Sequence, residues 1–278
     1  GESPVWDDRR SLLWFADITA NKIYAASPEG GDVIRHDMPA AVCSFGLADD
    51  DRLIVALRTG IHLYRPEDRA LRFVCQPEPD RPAVRLNDGK VSPDGALWVG
   101  SMSELMPRAR TGALYRISPD GAFSKVCDDL HVSNGLAWSP SGDVLYHADS
   151  RGIWVSRWDF DPRSGEASNR RILIELTERQ GLPDGAAVDV EGNYWSAGVT
   201  AGCLNRISPA GNILQTIALP MAAPTMPCFG GKDLETMFVT SLTTDRLGRP
   251  QPGTVIAFEP GVRGIPVHRF HVGESLRG

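Results

Sequence analysis

Cysteine is scarce in this sequence, and the few cysteines are not arranged in pairs. There are five, widely spaced along 278 residues, and none belongs to a C-x-x-C motif. This pattern disfavours both a disulfide framework and a thiolate zinc site. A reducing compartment fits it best, so we expect the protein to be cytoplasmic.

Runs of basic residues, long apolar stretches and helical periodicity are also lacking. The net charge is −6 and lysine and arginine are not clustered, which disfavours nucleic acid or an anionic membrane surface as a partner. No stretch has the length of a membrane-spanning helix, and no signal-peptide pattern occurs. We therefore expect a small-molecule partner, no nucleic-acid or membrane partner, and a monomer or weak homo-oligomer.

Glycine and proline, in contrast, are abundant, with 28 and 21 residues. Turn-forming triplets such as Pro-Asp-Gly and Glu-Gly-Asn punctuate the whole chain and are not confined to one linker. Hydrophobic residues make up 42% of the sequence, enough to bury a substantial core. Many short strands are the predicted consequence.

Six short apolar segments repeat along the chain at intervals of 40 to 49 residues. They are residues 13–16 (LWFA), 53–56 (LIVA), 97–100 (LWVG), 145–148 (LYHA), 194–197 (YWSA) and 237–240 (MFVT). Each is preceded by a turn and followed by a further predicted strand, with weaker fourth strands in most units. The repeat predicts an all-β, six-bladed β-propeller with four-stranded antiparallel blades, one domain over residues 1–278. The alternative is a two-domain mixed protein with accidentally periodic turns.

One position lies five residues before the polar turn residue of each unit, and its side chains are mostly polar. The six residues are Glu2, Ser44, Asn87, Asn134, Asp184 and Cys228. Equivalent positions of a closed ring converge on its axis, so two carboxylates and two amides become neighbours. Such oxygen donors suit a hard cation such as Ca²⁺, Mg²⁺ or Mn²⁺ better than structural Zn²⁺. Taken singly, Asn87, Asn134 and Asp184 also fit ordinary turns.

Other candidates for chemistry are fewer. Arg85 lies two residues before Asn87, where its guanidinium can bind substrate hydroxyls or a carboxylate, or form a surface ion pair. Neither G-x-S-x-G nor H-E-x-x-H occurs, which leaves a serine triad or a zincin without support. His131 is predicted to be a loop residue near the mouth of the ring. Cys228 is predicted to be small and buried, not a nucleophile.

Several motifs together resemble the senescence marker protein, gluconolactonase and luciferin-regenerating enzyme family. They are residues 1–6 (GESPVW), 85–90 (RLNDGK), 133–140 (SNGLAWSP), 183–185 (PDG) with Asp189 and Gly192, and 228–231 (CFGG). The resemblance covers essentially the whole chain. A strand that family members usually have upstream of the Gly-Glu segment, where it helps to close the last blade, is missing from this sequence.

The resemblance implies a six-bladed propeller with one divalent cation, Ca²⁺ being favoured among Ca²⁺, Mg²⁺, Mn²⁺ and Zn²⁺. The metal ligands of the family match Glu2, Asn134 and Asp184, and its substrate-binding residues match Arg85 and Asn87. Animal members use a glutamate in the following loop. That position falls on Leu105 here, and Glu104, one residue earlier, is the remaining candidate for substrate binding.

The predicted function is metal-dependent hydrolysis of a small sugar lactone, with Asp184 as both a metal ligand and the general base. Two alternatives are a non-catalytic Ca²⁺-binding regulator and a propeller that hydrolyses organophosphates. In a propeller, the loops between second and third strands return to the same mouth. These loops are residues 101–111, 149–151, 198–201 and 242–252, and in the first of them Leu105 and Met106 are expected to face the site, with Arg108 or Arg110 as a cationic rim.

Overall fold

Six antiparallel sheets form the fold of this protein. The structure is a computed structural model that describes residues 1–245 and 247–277. Five sheets have four strands and the sixth has three, and within each sheet the strands pair in chain order. Within the part of the chain that is described, the one helical element is a 3-10 turn at Glu274–Leu276.

The first three blades follow one another without interruption. Blade one contains β1 (Glu2–Asp7), β2 (Leu12–Asp17), β3 (Lys22–Ala26) and β4 (Ile34–Asp37). Blade two contains β5 (Val42–Leu47), β6 (Leu53–Leu57), β7 (Gly60–Arg65) and β8 (Ala70–Cys75). Blade three contains β9 (Val84–Val91), β10 (Leu97–Ser103), β11 (Gly112–Ile117) and β12 (Phe123–Leu130).

The last three blades complete the ring. Blade four contains β13 (Ser133–Trp138), β14 (Val144–Asp149), β15 (Trp154–Asp161) and β16 (Glu166–Glu175). Blade five contains β17 (Pro183–Val188), β18 (Tyr194–Gly198), β19 (Cys203–Ile207) and β20 (Ile213–Ala218). Blade six contains β21 (Pro224–Gly230), β22 (Thr236–Ser241) and β23 (Val255–Phe258).

The first strands of the blades form the inner wall of the ring. They pack against one another in the order β1, β5, β9, β13, β17, β21 and back to β1. The second strands are buried almost completely, whereas outer strands such as β16 and β20 are largely exposed. The predicted six-bladed propeller is therefore confirmed, with the difference that the last blade has three strands.

Large apolar side chains fill the spaces between neighbouring blades. Trp98 of blade three is fully buried and meets Trp138 and Phe160 of blade four edge to face, with ring centroids 6.0 and 5.8 Å away. Such pairs add about 0.5–1.5 kcal/mol to the stabilisation that comes from burial. This packing explains why Leu-Trp or its equivalent recurs in the second strands.

The segment after β23 crosses the end of the ring where the first strands finish. Its Phe270 amide donates to the carbonyl of Leu47 at 2.8 Å, and its Phe270 side chain is fully buried. Ile265 and His268 from the same segment line a small cavity of about 70 Å³ in the channel. The segment thus closes one end of the channel, and the other end stays open. No helix in residues 1–245 or 247–277 has the length and apolarity needed to cross a membrane.

Candidate active site

The open end of the ring contains a cleft with a volume of about 820 Å³. Four inner strands begin at its floor and contribute Glu2, Asn87, Asn134 and Asp184. Loops between second and third strands form its walls in blades three to six. The predicted placement of these loops at the mouth is therefore confirmed.

Glu2 and Asp184 bring two carboxylates together at the floor, although they come from blades one and five. Burial, together with the negative charge of Asp88, raises the pKa of Glu2 to about 7. Burial and the charges of Glu2 and Asp88 raise the pKa of Asp184 well above its ordinary value. Both side chains are half-buried and reach the cleft surface. The floor therefore concentrates negative charge that the protein compensates incompletely.

Local backbone geometry aims these side chains into the cleft. The β1–β2 ladder shifts register just after Glu2, and the β13–β14 ladder does so just after Asn134. The following residues, Ser3 and Gly135, have φ of 49° and 64°. A Cβ on Gly135 would lie 2.3 Å from the hydroxyl oxygen of Tyr194, so only glycine fits there. Bulges of this kind turn a side chain out of the ladder.

A chain of hydrogen bonds fixes the two amides of the floor. Asn87 Nδ2 donates to Asn134 Oδ1 at 2.9 Å and to the carbonyl of Ser133 at 3.0 Å. Asn134 Nδ2 donates to Ser150 Oγ at 2.7 Å, and Ser150 Oγ donates to the carbonyl of Pro183 at 2.6 Å. These hydrogen bonds fix the orientation of both side-chain amides, because each Nδ2 needs an acceptor. Asn134 Oδ1 accepts one bond and keeps a second lone pair.

Arg85 also lies against the cleft, and its NH1 donates to Asn87 Oδ1 and to the carbonyl of Leu86, both at 2.8 Å. Glu104 is turned toward arginines: it forms an ion pair with Arg58, and its Oε1 lies 3.9 Å from Nε of Arg85. Glu104 is not among the residues that line the cleft. The structure thus groups Glu2, Arg85, Asn87, Asn134 and Asp184 and places Glu104 behind Arg85.

Two of the six predicted ring positions are wrong by the strand pairing. In every blade, the second residue of the repeated apolar segment, such as Trp14 in residues 13–16, pairs with a residue of the inner strand. The floor residue lies three positions before that partner in four blades, which gives Glu2, Asn87, Asn134 and Asp184. The same rule places Cys43 in blade two and Thr225 in blade six, instead of Ser44 and Cys228. The prediction counted back from the polar turn residue. In blade two this residue lies two positions after the inner-strand partner of the first segment residue, and in blade six it lies four positions after it, whereas it directly follows that partner in the other blades. Cys228 lies deeper, where burial raises its pKa to about 11.

Sequence reasoning missed several polar residues near the floor. Ser150 Oγ accepts a hydrogen bond from Asn134. The one sequence feature that could have indicated a role for Ser150 was its place in the predicted mouth loop 149–151. Behind the floor, the buried Asp88 accepts a hydrogen bond from the amide of Leu136 at 3.2 Å. Lys90 follows on the channel wall, where burial lowers its pKa and the charge of Asp88 raises it. The channel therefore continues the polar floor inward with one carboxyl group and one amino group.

In the loop 103–112, the residues that face the site are not the ones that were predicted. Leu105 and Met106 are 57% and 75% exposed and do not line the cleft, because the loop turns them to solvent. Arg108 does line it, whereas Arg110 forms an ion pair with Asp129 at 2.6 Å. His131 lies in the loop between β12 and β13, as predicted, with its amide bonded to Asp149.

The donor set at the floor fits a hard divalent cation. In the described part of the chain, no group of three or more His, Cys, Asp and Glu side chains could hold a metal. The candidate set instead combines two carboxylates with the oriented amide oxygen of Asn134. The charge of Glu2 raises the pKa of Asp184, and neighbouring carboxylates of this kind are stabilised as anions when a cation lies between them. The residues present therefore fit the cation that the family resemblance implies.

Fold and site together define a six-bladed propeller with an oxygen-lined cleft at one mouth. Residues 1–243 match the family model described as the SMP-30/gluconolactonase/LRE-like region. The chain belongs to this family.

Individual relatives match over nearly the whole chain. Regucalcin from Xenopus laevis is 35% identical over 97% of this chain and 94% of its own length. The 6-deoxy-6-sulfogluconolactonase of Pseudomonas putida is 36% identical over 95% of this chain and 92% of its own. The solved structure of a regucalcin from Agrobacterium tumefaciens, described as a calcium-binding protein, is 25% identical with a TM-score of 0.89, covering 97% and 93% of the two chains.

Proposed function

We propose that the protein hydrolyses the ring ester of a small sugar lactone to the free hydroxy acid and requires one divalent cation. The observation that carries this proposal is the meeting of Glu2, Asp184 and the Asn134 oxygen beside Arg85 in one open cleft. Membership of a family with gluconolactonases, and a Pseudomonas relative named for lactone hydrolysis, support the same reaction.

Glu2, Asn134 and Asp184 would hold the cation. When bound, it would supply Lewis-acid polarisation of the lactone carbonyl and offset the negative charge of the floor. A structural relative is described as calcium-binding, and the oxygen donors suit Ca²⁺, so we propose Ca²⁺ first.

Asp184 is the proposed general base. Its carboxylate takes a proton from the attacking water while the water oxygen bonds to the carbonyl carbon. The C–O bond of the ring ester then breaks, and the proton passes to the departing ring oxygen, so that one water is consumed and one hydroxy acid forms. The proposed metal ligands and the proposed base lie together at the floor, so we propose that the reacting carbonyl binds there.

Arg85 and Asn87 have different proposed roles. NH1 of Arg85 donates to Asn87 and Leu86, and its Nε faces Glu104, so we propose that NH2 binds substrate hydroxyls. Both amide hydrogens of Asn87 are used within the protein, so we propose that Asn87 is a positioning residue for Arg85 and Asn134. Glu104 is proposed to orient Arg85 from behind, without contact to the substrate.

The test is turnover of a lactone panel after chelation and after cation is added back. Acid release that disappears with chelator and returns with Ca²⁺, Mg²⁺ or Mn²⁺ supports the proposal. Binding of Ca²⁺ without turnover of any lactone would favour the regulatory alternative. A phosphotriester in the same panel tests the organophosphate alternative, which requires the phosphotriester to be the faster substrate.

A further inference from the structure

The walls of the cleft carry a cluster of arginines that the lactonase mechanism does not use. Arg108 enters from the loop 103–112 of blade three, and Arg151 from the turn between β14 and β15 in blade four. Arg85 lies below them at the floor. Arg108 is half-buried, and its NH1 donates to the carbonyl of Ser103, which holds the side chain against the wall.

These guanidinium groups lie close enough to repel one another. Burial and the positive charges of Arg85 and Arg151 lower the pKa of Arg108, and the charge of Glu104 opposes the effect. Keeping the half-buried guanidinium of Arg108 beside like charges costs free energy unless an anion is bound there. Arg108 and Arg151 thus form a cationic patch, which we call the rim pair.

The described carboxylates form no ion pair with either member of the rim pair. In residues 1–245 and 247–277, neither Arg108 nor Arg151 forms an ion pair, although Arg85 lies near Glu104 and Arg110 pairs with Asp129. The acidic residues of the walls, Glu178 and Asp245, come from loops of the other side, and Asp245 is already paired with Arg249. Among the described residues, the walls therefore carry the rim pair at blades three and four, and Glu178 and Asp245 toward blades five and six.

We propose that the rim pair binds an anionic group carried by the lactone at the end distant from its reacting carbonyl. This inference rests on the proposed lactonase function and deepens it: the substrate class becomes anionic sugar lactones, with a sulfonate, phosphate or carboxylate as the distal group. The planar forks of two arginines match the oxygens of all three groups. The carbonyl then lies at the Glu2 and Asp184 floor, while the distal anion lies at the wall of blades three and four.

The experiment compares kcat/KM for the lactones of gluconate, 6-phosphogluconate, 6-deoxy-6-sulfogluconate and glucarate. We expect at least one anionic lactone to exceed the neutral one by about tenfold or more, with the ratio falling as salt is raised. Arg108→Gln and Arg151→Gln should each reduce that ratio by about tenfold. Arg110→Gln, in the same loop but paired with Asp129, is the matched control and should leave the ratio unchanged.

A wild-type enzyme that turns over the neutral lactone equally well or better would overturn the proposal, as would variants that lose both activities equally. The identity of the preferred distal group decides among sulfonate, phosphate and carboxylate. A second measurement separates this inference from the lactonase proposal itself. Calorimetric binding of the open acids, 6-phosphogluconate and gluconate, should favour the former in the wild type and lose that preference in Arg108→Gln, whether or not any lactone is hydrolysed. Equal binding of both acids would count against the rim pair.

Discussion

Asn87 donates an amide hydrogen to Oδ1 of Asn134 at 2.9 Å, across the boundary between blades three and four. Its other amide hydrogen goes to Ser133, and its oxygen receives Arg85. One amide therefore links the proposed cation ligand with the proposed substrate-binding arginine. A change at Asn87 is expected to disturb both functions at once.

Asn87→Asp tests this link. A carboxylate cannot donate to Asn134 or to Ser133, so we expect kcat/KM to fall by about 10-fold to 100-fold and the cation to bind more weakly. Steady-state kinetics across a cation titration measures both effects. Ser44→Ala is the control, because Ser44 does not line the cleft despite its place in the sequence repeat. Normal activity in Asn87→Asp would contradict the positioning role.

Asp184→Asn is expected to separate activity from stability. The change removes the proposed base and one ligand charge, and kcat should fall by about 100-fold or more. It also removes one of two neighbouring half-buried carboxylates, of which Glu2 raises the pKa of Asp184, so the melting temperature in chelator at neutral pH should not decrease. Calorimetry and lactone hydrolysis on the same preparation measure the two effects. Full activity in this variant would exclude Asp184 from the mechanism.

Addition of the cation is expected to stabilise the folded protein. A ligand that binds only the folded state at 100 times its Kd raises the free energy of unfolding by about 2.7 kcal/mol. Melting temperature should therefore rise with Ca²⁺ in the wild type and rise much less in Glu2→Gln. Sodium chloride at equal ionic strength is the control for screening. An equal rise in Glu2→Gln would place the bound cation elsewhere.

Stability should decrease in acid because of His147. This side chain is fully buried with Nε2 2.8 Å from Ser133 Oγ, and burial lowers its pKa from 6.5 to about 3. The unfolded chain therefore binds a proton below pH 6.5 that the folded protein does not. The corresponding stability is complete above pH 6.5 and is lost as the pH falls toward 3, by up to about 1.4 kcal/mol per pH unit.

His147→Gln is expected to remove this part of the pH dependence while keeping a polar partner for Ser133. Urea unfolding of both proteins at pH 7, 6 and 5 measures the difference in slope. Carboxylates that titrate in the same range contribute equally to the two proteins, so the comparison isolates the histidine. Parallel slopes would show that His147 is protonated in the folded state.

The sequence repeat was sufficient to predict the propeller and four of the positions at the floor. It succeeded in blades one, three, four and five because their polar turn residue directly follows the inner-strand residue that pairs with the first residue of the repeated segment. It failed at Ser44 and Cys228, since the polar turn residue lies two positions after that partner in blade two and four positions after it in blade six. Strand pairing in three dimensions determines the register, and counting from a turn residue follows it only while turns match.

Side-chain partners were less predictable than strand positions. Glu104 was a candidate for substrate binding, yet Arg58 from blade two forms an ion pair with it. The partner of Glu104 depends on which blade lies beside its loop, and the sequence around Glu104 does not predict that neighbour. The same holds for Ser150, whose hydrogen bonds join blades four and five. Networks that cross blade boundaries need the assembled ring.

Glu2 is held at the floor by the blade that is made last. The Gly1 nitrogen donates to the carbonyl of Ser241 at 2.6 Å, and Thr225 Oγ1 donates to the carbonyl of Gly1 at 2.8 Å. Both partners lie in blade six, more than 220 residues later in the chain. During synthesis the earlier blades emerge and fold first. A ribosome-bound chain that ends before β21 therefore lacks the residues that hold Gly1 beside Glu2, and the floor is assembled only after blade six has emerged.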